Sequence, residues 1–451
     1  MQRRNFIKLS LATCATLALP TLSKAVTDYS KVSFNKSTYD ANAPQVLMVF
    51  LYGGASQLCG NLTNISEIQS KSQSSYSSYF RGITPTTNNF WQEAGGLHME
   101  DMLASGDMSI FRTCYSKVRE SEGNKSHGIC TNQNQLGSFD ETQAGMITNL
   151  SAILSNEGVV SEQSVMPFVS MEGSSNFYAS GNTVIPSYLK AVGLDENFNN
   201  PYQRYVRYWY QYTDEERQQS GYNKKDAEGF DPAFNATMNT MAQKNNTNVK
   251  IKDAFAKREP LSNFIESIKN TSTPSLGSDS YPNNSTFAKK MESAIKVLAK
   301  NPDTKVVTIN TGGLGGWDDH NDARNYVSRS EELFVTLKSA MAHLKALNKE
   351  QNISIMVFGE FGRNVNLNSA LGWDHGNLQN LYVLGGKKYF NHRGVVGETE
   401  VDDTGSVNRL YMKPKSGSYS FEPLSIAATL YKIFGVTNPE VLTDGNSAID
   451  L

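Results

Sequence analysis

The chain has 451 residues, with 42 Lys and Arg against 44 Asp and Glu, a formal charge of −2 and 39% hydrophobic residues. This length allows a large buried core, and this composition excludes a disordered chain. Because non-specific nucleic-acid affinity comes mainly from clustered Lys and Arg, the even charge balance argues against nucleic acid as a partner.

The first 25 residues have the form of an export signal. Two adjacent arginines, Arg3 and Arg4, stand before a Phe, an aliphatic residue and a Lys, as in signals that the twin-arginine translocase reads. An apolar stretch over 9–22 follows, and small residues then predict cleavage after Ala25. That stretch is shorter than the roughly 20 residues of a bilayer-spanning helix, and no later segment qualifies. We expect a periplasmic or secreted protein with no stable membrane span after cleavage.

Cysteine usage gives no support for a disulfide framework. Cys14 lies in the leader, which leaves Cys59, Cys114 and Cys130 with no C-x-x-C pair. At most one bridge can form among three thiols, and a thiolate zinc site is not supported.

Six β-rich runs alternate with helical patterns along the rest of the chain. The predicted strands are 46–52, 108–112, 165–170, 305–310, 353–358 and 381–384. The first is apolar nearly throughout, as in strands buried on both faces of a mostly parallel sheet. Apolar stripes predict helices behind Ser285, behind a capping box of Ser328 and Glu331, and before Gly435. Alternation of this kind indicates one α/β domain over residues 26–451.

One segment departs from this alternation. Between Asn197 and Asn284 the composition shifts to Asn, Gln, Lys and Tyr, with Tyr and Trp clustered over 202–212. We predict a helical insertion or cap over about 197–300. Packing of the cap is the favoured explanation for the aromatic cluster, and a sugar-binding surface is the alternative.

Two loops that follow predicted strands carry candidate metal ligands. In open α/β sheets, sites lie beyond the carboxyl ends of strands. The loop after 305–310 holds Asp318, Asp319 and His320 behind a run of glycines, and this donor set suits a divalent metal. The alternative is a solvated Asp-rich loop with a hydrogen-bonded His.

The strand at 353–358 runs into Glu360 and Arg363, and a second Asp-His pair, Asp374 and His375, follows a short loop later. Glu360 and Arg363 could form a structural ion pair. A second Asp-His beyond a strand end nevertheless favours loops that share one metal. In contrast, His343 is expected to face out of its helix.

Two more loops carry weaker signals. Gly53 and Gly54 make a tight turn ahead of Ser56, which would let backbone amides approach a ligand. Ser126 beside His127 at a predicted helix start could be a nucleophile with amides ready for an oxyanion. Equally, Ser126 could be an ordinary N-cap.

Together these features resemble the exported bacterial family called domain of unknown function 1501, which is related to the alkaline phosphatase and sulfatase superfamily. The matching segments, in chain order, are Leu51-Tyr52-Gly53-Gly54-Ala55, Ser126-His127, Gly316-Trp317-Asp318-Asp319-His320, Glu360-Phe361-Gly362-Arg363, Asp374-His375-Gly376 and Leu384-Gly385-Gly386. The resemblance implies an alkaline-phosphatase-like α/β fold. It places a two-metal centre at the strand ends.

Residue roles follow from the same resemblance. It implies one metal held by Asp318, His320 and His375, with Asp374 as a further ligand or an outer partner. It also implies Glu360 as the acid of a second metal position.

The remaining positions carry over in part. Ser126 falls at the nucleophile position, and His127 and Asp319 line the site. Ser56 stands where the family usually has an Asp, and Phe361 stands where phosphatases have a His. Both changes remove donors from the second metal position. The absence of a C-x-P-x-R or S-x-P-x-R segment argues against a formylglycine sulfatase.

The leading hypothesis is an exported metal-dependent hydrolase acting on a phosphate or sulfate ester of a small molecule or glycan. Zn, Mn, Mg and Ca are the candidate ions. The metal would polarise the ester and activate Ser126 or a bound water, while Arg363 would offset developing negative charge. The alternative is a non-catalytic envelope or surface protein that uses a degenerate phosphatase-like scaffold for binding or assembly.

Overall fold

The computed structural model describes residues 27–72, 76–80, 82–198, 236–237, 239–241, 243–244, 260–402 and 409–451. The predicted leader, including the twin-arginine motif, lies outside these residues. So does most of the predicted insertion, including the Tyr and Trp cluster over 202–212. Within the described residues, no helix combines the length and the apolar composition needed to cross a bilayer.

An eight-stranded mixed sheet forms the centre of the fold, in the order β4-β3-β5-β1-β6-β7-β2-β8. The strands are β1 (Gln45–Leu51), β2 (Met108–Cys114), β3 (Phe168–Ser170), β4 (Val192–Gly193), β5 (Val306–Asn310), β6 (Ile353–Gly359), β7 (Gln379–Gly385) and β8 (Val395–Val396). Strand β7 runs antiparallel to β6 and β2, and the other pairs are parallel. A separate hairpin pairs β9 (Thr399–Asp402) with β10 (Tyr411–Pro414). All six predicted strands are present, and the predicted α/β class is confirmed.

Strand β1 is buried on both faces of the sheet. Successive side chains in a strand point to opposite faces. The odd-numbered side chains of β1 accordingly join one apolar cluster, and its even-numbered side chains join the other. Each cluster covers one face, which explains why the sequence of β1 is apolar throughout instead of alternating.

Residues 260–269 and the described residues within 236–244 are helical, and shorter helical runs are also present. Ten further α-helices surround the sheet in the described ranges. They are α1 (Lys36–Asn42), α2 (Ile65–Lys71), α3 (Tyr76–Tyr79), α4 (Gly96–Ala104), α5 (Lys117–Glu122), α6 (His127–Leu136), α7 (Met146–Asn156), α8 (Thr286–Lys300), α9 (Tyr326–Ala346) and α10 (Ser425–Ile433). The apolar sides of α4, α8 and α9 belong to one cluster, and those of α7 and α10 belong to the other.

Three local predictions are wrong. Helix α8 packs into the core against β5 and α9, so residues 286–300 are not part of a cap. Helix α9 begins at Tyr326, ahead of the predicted capping box, and Glu331 instead contacts His98. His343 is buried and its Nδ1 lies 3.2 Å from the Tyr281 hydroxyl, because α9 is covered on more sides than its apolar stripe indicated.

Cys59, Cys114 and Cys130 are buried free thiols. Burial raises the pKa of each of them, so none is an activated nucleophile.

Candidate metal centre

The carboxyl ends of four strands meet at one edge of the sheet. Strands β5, β1 and β6 are parallel neighbours, and β2 runs in the same direction because β7 is antiparallel to both β6 and β2. The loops that follow β5 and β6, and the segment between β2 and α6, therefore reach the same crevice. Three loops far apart in sequence come together there.

Four side chains from these loops converge on one point. One ligand atom from each of His127, Asp318, His320 and His375 lies within 4.8 Å of the other three. His127 is the first residue of α6, Asp318 and His320 follow β5, and His375 precedes β7. Within the described parts of the chain, this is the one group of His, Cys, Asp and Glu side chains with such spacing.

The separations within this cluster fit a tetrahedral ion. His127 Nε2 lies 3.0 Å from His375 Nε2 and 3.5 Å from Asp318 Oδ1, and His320 Nε2 lies 3.6 Å from the same oxygen. A tetrahedral zinc with bonds near 2.0 Å keeps its ligand atoms about 3.3 Å apart. The four donors therefore need little movement to bind one metal.

Each of the three histidine rings has a partner on its outer side. His127 Nδ1 lies 2.7 Å from Glu360 Oε2, and His320 Nδ1 lies 3.6 Å from Asp374 Oδ1. His375 makes a hydrogen bond with the backbone of Lys125. Metal-binding histidines typically give their second ring N–H to a carboxylate or a backbone carbonyl, which fixes the tautomer and the ring orientation. His127 and His375 follow this pattern, whereas Asp374 lies near His320 at a separation longer than a hydrogen bond.

Glu360 and Asp374 thus lie on the outer sides of the His127 and His320 rings and are not part of the cluster. Glu360 is 3% exposed, and its second oxygen, Oε1, accepts the backbone N–H of Gly53 at 2.7 Å. With both oxygens engaged, Glu360 lies outside the four-residue cluster. It contacts His127 from the outer side of the ring, whereas the resemblance had implied the acid of a second metal position.

Arg363 is fully covered and holds the loops together. Its guanidinium donates to Asp318 Oδ1 at 2.7 Å and to the carbonyls of Gly53, Gly54 and Trp373. Burial by itself would raise the pKa of Asp318, but the hydrogen bond and charge of Arg363 outweigh it and the pKa is lowered. Asp318 therefore stays ionised, and Arg363 orients this carboxylate instead of facing a substrate.

His375 sits against an aromatic side chain. Burial, followed by the positive charges of Arg363 and the neighbouring histidines, lowers the pKa of His375 to about 4. Its ring is therefore neutral near pH 7, as a metal ligand must be. The ring centroid of Phe361 lies 4.6 Å from that of His375 and 5.0 Å from that of His127.

Gly54 has a positive φ, and a Cβ there would overlap the Phe361 ring.

Besides Glu360, Asp374 and Arg363, three other predicted site residues lie outside the cluster. Asp319 is buried and pairs with Arg329 at 2.7 Å. Ser56 is buried, and its hydroxyl accepts the Leu58 N–H at 3.4 Å. Ser126 is exposed at the N-cap of α6, directly before His127, and its side chain makes no capping hydrogen bond. Neither the N-cap bond nor a contact with the cluster is present for Ser126.

The donor set discriminates among the predicted ions. Three imidazole nitrogens and one carboxylate oxygen suit zinc and other imidazole-binding transition metals, whereas magnesium and calcium prefer oxygen ligands. The cluster also meets solvent, since the Asp318 side chain is 51% exposed.

His127 is the member of the cluster that the sequence did not predict as a metal ligand. It was expected to line the site, with the neighbouring Ser126 as the active group. A histidine in the first turn of a helix carries no signal of its own. Its place beside the other three donors and its 2.7 Å contact with Glu360, 233 residues away, are visible only in the structure.

The sequence matches the family described as "Protein of unknown function (DUF1501)" over residues 43–408. The chain belongs to this family. No curated protein matches the sequence.

Among solved structures, the chain is similar to "Ps i-CgsB in complex with k-i-k-neocarrahexaose", with 10% identity and a TM-score of 0.38, covering 90% of this chain and 77% of the other. It is also similar to the lipoteichoic acid synthase LtaP from Listeria monocytogenes, with 9% identity and a TM-score of 0.33, covering 94% and 78%. An alkaline phosphatase from the Antarctic bacterium TAB5 has 11% identity and a TM-score of 0.32, covering 89% and 99%. Similarity at these identities and TM-scores is too weak to indicate an activity for this chain.

Proposed function

We propose that this protein is an exported metal-dependent hydrolase that cleaves a phosphate or sulfate ester at a single metal ion held by His127, Asp318, His320 and His375. The observation that carries the proposal is the convergence of these four donors at a solvent-facing edge of the sheet. Metal-assisted hydrolysis requires such a site to be open to both water and substrate.

The proposal assigns a task to each side chain. A bound zinc ion would polarise the ester and lower the pKa of a water molecule. Glu360 keeps the His127 proton on Nδ1, which leaves the lone pair of Nε2 free to bind the metal. Asp374 faces His320 in the same sense, and Arg363 orients Asp318. Together they hold the donors in place before the metal arrives.

Ser126 remains the proposed nucleophile. It is exposed, it directly precedes a proposed ligand, and its hydroxyl is not used as a cap. A metal-activated water is the alternative attacking group. A Ser126→Ala variant separates them, because a serine nucleophile predicts loss of turnover with unchanged metal content.

A specific observation also favours a non-catalytic binding or assembly role. Four protein ligands fill a tetrahedral zinc site, as they do in structural zinc sites, whereas catalytic sites usually keep one position for water. In that case the metal would stabilise the loops at the sheet edge without turnover. The two proposals differ in their response to ester substrates.

The test uses the purified mature chain loaded with zinc. Metal content is measured, and p-nitrophenyl phosphate and p-nitrophenyl sulfate are offered as substrates. We expect about one zinc per chain, cleavage of at least one ester, and loss of both in His375→Ala. His98→Ala removes a histidine outside the cluster and serves as the matched control. Bound zinc without cleavage of any ester would favour the structural role, and absence of bound metal would overturn both proposals.

Export is proposed on sequence alone. Replacing both Arg3 and Arg4 by Lys should retain the protein in the cytoplasm, since the translocase reads the arginine pair. Cell fractionation with and without the substitution tests this. Equal amounts of processed protein outside the cytoplasm in both cases would contradict a twin-arginine route.

A further inference from the structure

An exposed arginine borders the metal centre. Arg409 lies two residues before β10, and the residue between them, Leu410, is buried. The Leu410 N–H donates to Asn366 Oδ1 at 2.7 Å, and the Val365 N–H donates to the Leu410 carbonyl at 2.8 Å. The backbone beside Arg409 is therefore fixed to the loop that follows β6, which is also the loop that carries Arg363.

The side chain of Arg409 lies on the outer side of Asp374. Its Nε is 2.9 Å from Asp374 Oδ2, and the side chain is 62% exposed. The other oxygen of Asp374 lies 3.6 Å from His320 Nδ1. One carboxylate and one imidazole ring thus separate the guanidinium from the cluster. Within the described part of the chain, Nε is the guanidinium nitrogen of Arg409 that has a partner, and neither terminal nitrogen makes a hydrogen bond or ion pair.

Two other cations near the cluster are already engaged. The Arg363 guanidinium donates hydrogen bonds to Asp318 and to loop carbonyls. Lys125 lies 2.8 Å from Glu120 Oε2 and over the Tyr411 ring. Of these three cations, only Arg409 has a mostly exposed side chain, at 62% against 20% for Lys125 and 0% for Arg363.

A guanidinium with two free terminal nitrogens is suited to a tetrahedral oxyanion. Its planar fork can donate two parallel hydrogen bonds to a phosphate or sulfate, which a lysine cannot do. We propose that Arg409 binds a second anionic group of the substrate, beyond the ester at the metal. This inference rests on the proposed function, and it narrows the substrate class to esters that carry at least two phosphate or sulfate groups.

The test compares ligands that differ by one charged group. Zinc-loaded protein is titrated by calorimetry with glucose 1,6-bisphosphate and with glucose 6-phosphate, while phosphate release is followed in parallel. The corresponding glucose disulfate and monosulfate form a second arm, which distinguishes phosphate from sulfate recognition. We expect the ligand with two anionic groups to bind more tightly in at least one arm. Arg409→Ala should weaken that ligand about 10- to 100-fold, in line with the loss of charged hydrogen bonds, and leave the ligand with one anionic group within twofold.

Controls separate recognition from positioning. Lys415→Ala removes another exposed cation of the same hairpin, paired with Glu398 at 2.8 Å, and should change neither ligand. Arg409→Lys keeps the charge without the fork, so it should recover part of the lost affinity. If Arg409→Ala weakens both ligands equally and also lowers zinc affinity, Arg409 only positions Asp374 and the inference is overturned.

The outcomes also distinguish this inference from the proposed function. If the unaltered protein binds ligands with one and with two anionic groups equally well, the Arg409 assignment is overturned, whether or not esters are cleaved. Selective binding of the ligand with two anionic groups, without cleavage, supports Arg409 as a recognition residue and counts against hydrolysis.

Discussion

The carboxylate behind His127 should control how tightly the centre binds metal, and Glu360→Gln tests this. Glu360 uses both oxygens as acceptors, one at 2.7 Å from His127 Nδ1 and one for the Gly53 N–H, also at 2.7 Å. Glutamine has nearly the same size, but it offers one oxygen and one NH₂ group. Only one of the two contacts can therefore survive the substitution.

Either orientation of the amide weakens the centre. If the amide oxygen continues to accept from His127, the NH₂ group faces the Gly53 N–H. Two hydrogen-bond donors then face each other in a buried site, and neither has an acceptor. If the amide is reversed, its NH₂ points at His127 Nδ1, and the ring proton must move to Nε2, the atom that faces the cluster. A protonated Nε2 cannot bind a metal. We expect the zinc Kd to rise 10- to 100-fold, which corresponds to about 1.4–2.8 kcal/mol.

The assay is competition for zinc between the mature chain and a chelating dye. Glu331→Gln is the matched control, because Glu331 Oε1 lies 2.9 Å from His98 Nε2 in a Glu–His contact outside the cluster. The control should bind zinc as the unaltered protein does. A zinc Kd for Glu360→Gln within twofold of the unaltered protein would refute the assigned role of Glu360.

Two further predictions concern stability. In chemical denaturation, the free energy of unfolding of Gly54→Ala should be about 1–3 kcal/mol lower than that of Gly123→Ala. Both glycines have a positive φ, but the new methyl group meets the Phe361 ring at Gly54 and open space at Gly123. Equal losses of unfolding free energy would contradict this. Burial lowers the pKa of His343 to about 4, below the unfolded value of about 6.5, so stability is lost as pH falls through that window. His343→Gln should reduce the loss of unfolding free energy between pH 7 and 4.5 by about 2 kcal/mol, and an unchanged pH dependence would count against a buried neutral His343.

The sequence by itself determined the sheet and the loops that carry ligands. Continuous apolar runs such as β1 can be satisfied only by burial on both faces, so the α/β class followed from local pattern. The rule that sites lie beyond the carboxyl ends of strands then selected Asp318, His320 and His375, which all lie in the cluster. These inferences needed no knowledge of which loops touch.

Only the tertiary structure decided which side chains share the centre and which support it. Glu360, Asp374 and Arg363 have the same residue types as ligands and substrate-binding groups, and nothing local separates these roles. The 2.7 Å contact between Glu360 and His127 joins residues 233 positions apart and places Glu360 on the outer side of that ring. Arg363 was likewise predicted to offset charge on a substrate, but it is fully covered and donates to loop carbonyls. The strand pattern fixed where each loop begins, whereas packing between loops fixed which way each side chain points.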